Sequence, residues 1–275
     1  MNMVADMWRF AEAASHGMSK PTDEFPEFND CIIYTSLVND EDFAYIAEFS
    51  NRLIFAFQGT KNLKAWIGDV DAFPLKDPNP ESYLNYHNDP LKKGTIHCNF
   101  YKSWLYFKPI FQDYLIKYAS NKTDNEVTKD TISIVWKQYN LPPIYHVGHS
   151  RGGALSPLAA RDTAKNLGIP CSCFAFGAPR IGTKEFRDEI DILPINYLNT
   201  HHGAEFTQFL PPELAGFRHA GRPLQLNEPK WHMLFNKIKD HFYSTTTDAM
   251  IKYCKIKKDD DGLQWMKIVR KRVNI

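Results

Sequence analysis

The chain has 275 residues, 43% hydrophobic and 24% charged, with 33 basic against 32 acidic side chains. This near-neutral, average composition excludes disordered, collagen-like and coiled-coil chains, and it leaves no field to steer a polyanion, so nucleic acid is not an expected partner. No apolar run approaches the ~20 residues of a membrane-spanning helix; Leu53-Ile54-Phe55-Ala56-Phe57 is among the longest.

Residues 1–16 place Val4, Met7, Trp8, Ala11 and Ala14 near helical spacing, which predicts a short amphipathic helix. Asp6, Arg9 and Glu12 interrupt the apolar stretch that a secretory leader requires. Residues 31–38 and 43–50 read as strands about the polar turn Asn39-Asp40-Glu41-Asp42. Residues 52–57 are nearly all apolar, the pattern of a strand buried on both faces, ending at Gln58-Gly59-Thr60. Leu63, Trp66, Ile67 and Val70 then fall on one face of a short helix. Prolines at 74, 78, 80 and 90 mark residues 73–96 as an extended surface excursion.

Helices are expected over 99–120, despite Pro109, and over 130–139. A strand at 143–147, a glycine-rich turn at 148–153 and a helix at 154–167 follow. Next come a buried strand at Cys171–Phe176, a helical stretch at 183–189 and a strand at 195–199. Alternation of strand and helix predicts an α/β fold with a mostly parallel sheet covered on both faces. No repeat, low-complexity tract or linker divides the chain, so one domain over 1–275 is expected.

Five cysteines, at 31, 98, 171, 173 and 254, are an odd number without framework spacing. With no leader pattern they favour a cytoplasmic location, against a secreted protein whose leader was trimmed. Cys171 and Cys173 share one side of a predicted strand and read as core thiols, with no further ligands spaced for a metal.

Gly148-His149-Ser150-Arg151-Gly152 fits Gly-x-Ser-x-Gly, with an apolar strand before it and a helix after it. In that context the pattern is a nucleophile elbow. The serine is held in strained backbone, and a side chain on either flanking glycine would collide with a neighbouring strand or helix. The turn aims the hydroxyl near the free N–H groups of a helix N-terminus, where an oxyanion can be received. A phosphate-binding turn is the competing reading, but no Lys follows as a P-loop requires.

A serine nucleophile needs a histidine base and an acid to orient it, in the chain order Ser, acid, His. His201, His202, His219, His232 and His241 all follow Ser150, as do acids from Asp162 to Asp240. Residue types alone leave that choice open.

Several motifs together resemble the class three, fungal-type lipase family of α/β-hydrolases, over about residues 52–243. Ile54-Phe55-Ala56-Phe57-Gln58-Gly59-Thr60 resembles the family's oxyanion-loop strand, and Lys64-Ala65-Trp66-Ile67-Gly68-Asp69 its tryptophan-bearing lid. Thr95-Ile96-His97-Cys98-Asn99-Phe100 is similar to a Val-His-x-Gly-Phe motif, with Asn99 in place of glycine. The elbow and Phe176-Gly177-Ala178-Pro179-Arg180-Ile181-Gly182 follow in family order.

The resemblance implies an α/β-hydrolase fold with a lid at about 61–75, bearing Leu63, Trp66 and Ile67. The family's acid stands five residues before Leu-Pro-Pro. Here Leu210-Pro211-Pro212 puts Glu205 there, where aspartate is usual, with Asp191 as the alternative. The preceding loop, 200–204, is about three residues longer than in the family. Asp240-His241-Phe242-Tyr243 resembles the motif of the base and implies His241, whereas His219 matches a structural histidine and His232 reads as a surface one. Thr60 and the backbone N–H of Arg151 are the implied oxyanion donors.

Arg151, where leucine is usual, puts a cation beside the acyl site. It favours an anionic or phosphate-bearing substrate, unless the side chain turns to solvent. Pro157 also departs from a good helix former, and the expectation is a helix that starts late or tolerates proline near its N-terminus. His201-His202 reads as a polar loop beside the site, and the basic tail 252–275 as a solvated terminal element rather than a membrane contact. The implied activity is serine ester hydrolysis without metal or cofactor, on a lipid or small ester at a lipid–water interface. An acylglycerol lipase, a soluble-ester or phospholipid hydrolase, and a silent lipid-binding protein are the three forms it could take.

Overall fold

In the computed structural model, which describes residues 3–15, 28–39, 42–59, 96–203, 205–226, 249, 250 and 252, the apolar run Leu53–Phe57 forms a central strand with every side chain buried. Leu53, Phe55 and Phe57 enter one core layer and Ile54 and Ala56 the other. A strand that must be apolar on both faces needs a cover on each, and the rest of the fold supplies them.

The main sheet has seven strands in the spatial order β1 (Ile33–Asn39), β2 (Asp42–Glu48), β3 (Leu53–Phe57), β4 (Ile144–His149), β5 (Cys171–Phe176), β7 (Ile195–His201) and β9 (Arg222–Gln225). A second, two-stranded sheet pairs β6 (Gly182–Thr183) with β8 (Phe217–Arg218). Short turns make β1, β2 and β3 antiparallel. Within the main sheet every pairing from β3 onward is parallel, because each return to the start of the sheet takes a long connection.

The helices are α1 (Met3–Ser15), α2 (Cys98–Thr123), α3 (Ile132–Gln138), α4 (Arg151–Asn166) and α5 (Lys184–Ile192). On one face Trp104, Phe107 and Phe111 of α2 pack on Phe55 and Phe57, with Phe111 edge-on to Phe55 at 4.8 Å. On the other, α1 lies across β3 and β4, with Trp8 edge-on to His149 (5.4 Å) and Phe176 (5.2 Å). The predicted helix forms over Met3–Ser15, but without the wet face an amphipathic helix would keep. Met7 to Ala14 are all buried, and Arg9 and Glu12 satisfy each other as a buried ion pair rather than forming a wet face. Tyr45 donates to Phe10 O (2.7 Å) and Arg52 to Asp6 (2.6 Å), which fixes α1 to the sheet.

The expected helix at 154–167 begins earlier, at Arg151, directly after the serine. Pro157 is thus inside the helix and not at its start. The Gly153 carbonyl that Pro157 cannot bond receives the Ser156 hydroxyl instead, at 3.4 Å. The strand expected at 195–199 extends to His201, because it pairs with β5 as far as Thr200 and with β9 as far as His201. The strands β6, β8 and β9 were not expected. Each is short, and β9 carries Pro223, which an edge strand tolerates. No described helix is long and apolar enough to cross a membrane.

Candidate active site

The C-terminal ends of β4, β5 and β7 converge with the N-terminus of α4, and Ser150 stands between β4 and α4. Its backbone has φ 57° and ψ −122°, a conformation that costs a non-glycine residue about 1–3 kcal/mol and occurs where the surroundings enforce it. Here the Ser150 N–H donates to Phe176 O (2.8 Å), and its carbonyl receives the Ala154 N–H (3.2 Å). The glycines leave no room for substitution. A Cβ on Gly148 would lie 2.2 Å from Gly152 O, and one on Gly152 2.1 Å from Phe57 O. Strand, turn and helix are pressed together as the elbow reading requires.

Glu205 is almost wholly buried, at 1% exposure. Its Oε1 accepts the His202 N–H at 2.9 Å, and a Cβ on Gly177 would lie 2.6 Å from its Oε2. Gly177 directly follows Phe176, whose carbonyl holds Ser150, and its own N–H donates to Thr200 O (2.8 Å). The structure therefore brings Glu205 to the elbow end of the sheet. Asp191 is at the opposite end. It is exposed near the end of α5 and accepts from Gly221 N (3.4 Å) just before β9, with the whole of β7 between it and His201.

A histidine layer backs Glu205. His201 Nδ1 is 3.9 Å from Glu205 Oε1, and its ring meets that of His219 edge-on at 4.8 Å. His219 Nε2 donates to Gln208 O (2.7 Å), so Nδ1 is left to accept from the Asn199 amide (3.2 Å). This is the structural role the sequence implied for His219. Burial, then the neighbouring His201, holds its imidazole down at about 4. Burial also lowers His201, against the pull of Glu205. On the far side of the core, burial holds His146 down at about 3, where it stacks on Phe55 and bonds Thr163.

Buried neutral imidazoles make the fold acid-sensitive. Between the ordinary histidine value of 6.5 and about 4 the unfolded chain binds protons that folded His219 refuses, so stability is lost as pH falls through that window. Thermal unfolding followed from pH 7 to 4 should show Tm declining, and His219→Gln should flatten the decline. An equally steep decline in the variant would remove His219 from the account.

Arg151 is neither turned towards an acyl site nor released to solvent. Nη1 donates to Asp42 Oδ1, and Nη2 to Asp42 Oδ2 (3.2 Å) and Ser103 Oγ (2.6 Å). The cation is neutralised inside the protein, which corrects the expected preference for an anionic substrate. Neither partner, nor the His202 N–H that holds Glu205, was found in the sequence.

Cys171 and Cys173 line the same core layer, and burial pushes both thiols up, as core thiols require. Among the described residues no cluster of three His, Cys, Asp or Glu side chains could hold a metal ion. The motif at His97 packs against the one at Arg180, with the His97 N–H donating to Ile181 O (2.7 Å). Arg180 in turn donates to Pro211 O and Glu213 Oε1, both at 3.0 Å, and so secures the Leu-Pro-Pro loop that follows Glu205. Thr60, the segment 61–75 with Leu63, Trp66 and Ile67, His232, His241 and the tail beyond 252 lie outside the described residues.

Comparison with known proteins agrees with this geometry. A lipase of Rhizopus niveus is 26% identical over 200 residues, covering 68% of this chain and 42% of the relative. A phospholipase A1 of Arabidopsis thaliana, the IIdelta form, is 34% identical over 180 residues, covering 54% of this chain and 41% of the relative. The chain spans less than half the length of these curated relatives. Among solved structures, the triacylglyceride lipase of Rhizomucor miehei aligns with a TM-score of 0.55 at 20% identity, over 80% of this chain and 78% of that one, and shares the α/β-hydrolase fold. The family model for lipase (class 3) matches residues 54–213, more than half the chain and every described part of the elbow, and the chain belongs to that family.

Proposed function

We propose that this chain is a serine carboxylic-ester hydrolase, a lipase that cleaves acylglycerol esters through an acyl-enzyme. The observation that carries the reading is Ser150, held in strained backbone at a strand-to-helix elbow in a member of the class 3 lipase family. Ser150 Oγ attacks the ester carbonyl while His241 takes its proton and returns it to the leaving alcohol. Glu205 orients the imidazole. The N–H of Arg151 and the N–H and hydroxyl of Thr60 receive the oxyanion, and water then releases the acyl group.

The segment 61–75 serves as the lid, presenting Leu63, Trp66 and Ile67 to lipid, within a single domain of 1–275. The buried, backbone-held carboxylate of Glu205 supports catalysis over silent lipid binding. Kinship with a phospholipase A1 keeps phospholipid esters as the second reading. The neutralised Arg151 gives that reading no further support.

The test is hydrolysis of p-nitrophenyl esters of short and long acyl chains, with a fluorophosphonate probe to trap the nucleophile. Turnover at both lengths, rising with acyl length, and a single adduct on Ser150 are expected. No turnover and no adduct would leave only the binding protein. For phospholipid, release of fatty acid from phosphatidylcholine vesicles faster than from acylglycerol emulsions would install the second reading.

A further inference from the structure

The first turn of α4 has N–H groups with no partner in the helix, and that of Arg151 is the first of them. Such a donor stabilises an oxyanion only if it is already aimed when charge develops. The side chain of Arg151 leaves the helix, passes the end of β3 and reaches the first residue of β2, 109 positions earlier in the chain. There the guanidinium fork takes both oxygens of Asp42 and the hydroxyl of Ser103 on α2. Ser103 gives its own proton to Asn99 O (3.1 Å), so a lone pair of its oxygen is what Arg151 meets. All three groups are largely buried, with Arg151 the most exposed at 16% of its side chain.

The exit of β3, which precedes the other proposed donor in the sequence, is tied to the same place. As the chain leaves β3, the Gln58 N–H donates to Phe43 O (2.9 Å) and its side-chain amide to Ser15 O (3.0 Å). Thr60 follows two residues later in the sequence. Gly152 closes against Phe57 O and Gln58 O, so the elbow and the exit of β3 touch. The start of α4 and the exit of β3 at Gln58 are therefore both tied to Asp42 and Phe43, the opening residues of β2.

We propose that Asp42 and Ser103 are positioning residues of the oxyanion hole, acting through the Arg151 guanidinium. They hold the start of α4 in register with the exit of β3 at Phe57-Gln58, and they cancel a cation that would otherwise lie beside the reacting ester. This rests on the hydrolase reading above. Lysine could supply the charge at 151 but not a planar fork that engages a carboxylate and a hydroxyl together.

The experiment measures kcat and KM on p-nitrophenyl butyrate, inhibition by butylboronic acid and Tm, for wild type, D42A, S103A, R151K and the double variant R151M/D42A. The boronate adduct on Ser150 places an oxygen where the oxyanion forms. For D42A, kcat should fall about tenfold to a hundredfold, with boronate affinity falling in parallel and KM within about twofold of wild type. S103A and R151K should lose less, in the same direction. R151M/D42A leaves no unpaired buried charge, so it separates positioning from charge balance. Its kcat should stay as low as that of D42A.

Wild-type kcat and boronate affinity in the double variant would overturn the proposal. So would a D42A protein whose Tm falls while both readouts hold. A wild type without Ser150-dependent turnover would instead overturn the hydrolase reading, and the clamp with it.

Discussion

Replacing Ser150 by Ala should lower kcat for ester hydrolysis about a millionfold and leave the fold intact. Only Oγ is removed. The N–H to Phe176 O and the carbonyl to Ala154 N are backbone bonds that alanine keeps. Alanine also keeps the Cβ, so the strain at φ 57° remains and Tm should hold. Ser150→Gly separates the two roles of the position. It abolishes turnover equally, but it relieves a conformation that glycine adopts freely, so its Tm should exceed that of wild type. Activity assays on p-nitrophenyl butyrate with parallel thermal unfolding check both. Turnover in Ser150→Ala within tenfold of wild type would move the nucleophile elsewhere.

Glu205→Gln should lower kcat about ten-thousandfold, again with little change in KM. The amide keeps an oxygen for the His202 N–H, so the side chain can stay in place. What it loses is the charge and the ability to accept an imidazole N–H while stabilising imidazolium. Glu205→Asp tests the longer approach loop. Its carboxylate retreats by one methylene from its seat on Gly177, and activity should fall by much less than in the glutamine variant. The pH dependence of kcat/KM for the two variants completes the check. An unchanged rate in Glu205→Gln would pass the role to another carboxylate. Asp191, at the far end of the sheet, is not placed to take it.

Much of this architecture could be read from side-chain pattern. The run at Leu53–Phe57 announces a strand buried on both faces, and the glycines around Ser150 announce an elbow with no room for Cβ atoms. What escaped the sequence was set by distant parts of the chain. The strands β6, β8 and β9 are too short for a period to develop, and their pairing partners decide that they are strands at all. Pro157 suggested a delayed helix, yet packing of Gly152 and Gly153 starts it at Arg151.

The site was legible in the same uneven way. Ser150 has a local signature, whereas Glu205 emerged only from its spacing to Leu210-Pro211-Pro212 in a family resemblance. The His202 N–H carries no residue-type signal, since any residue supplies one. Asp42 and Ser103 lie 109 and 48 positions from Arg151, beyond any local spacing rule.

The adjacency of Phe176 and Gly177 has a mechanical meaning. Ser150 is gauged from the carbonyl of the first, and the Glu205 carboxylate rests on the second. A displacement of the end of β5 would carry both references together. Ser150 and Glu205, though they follow different strands, thus take their positions from two consecutive residues at one strand end.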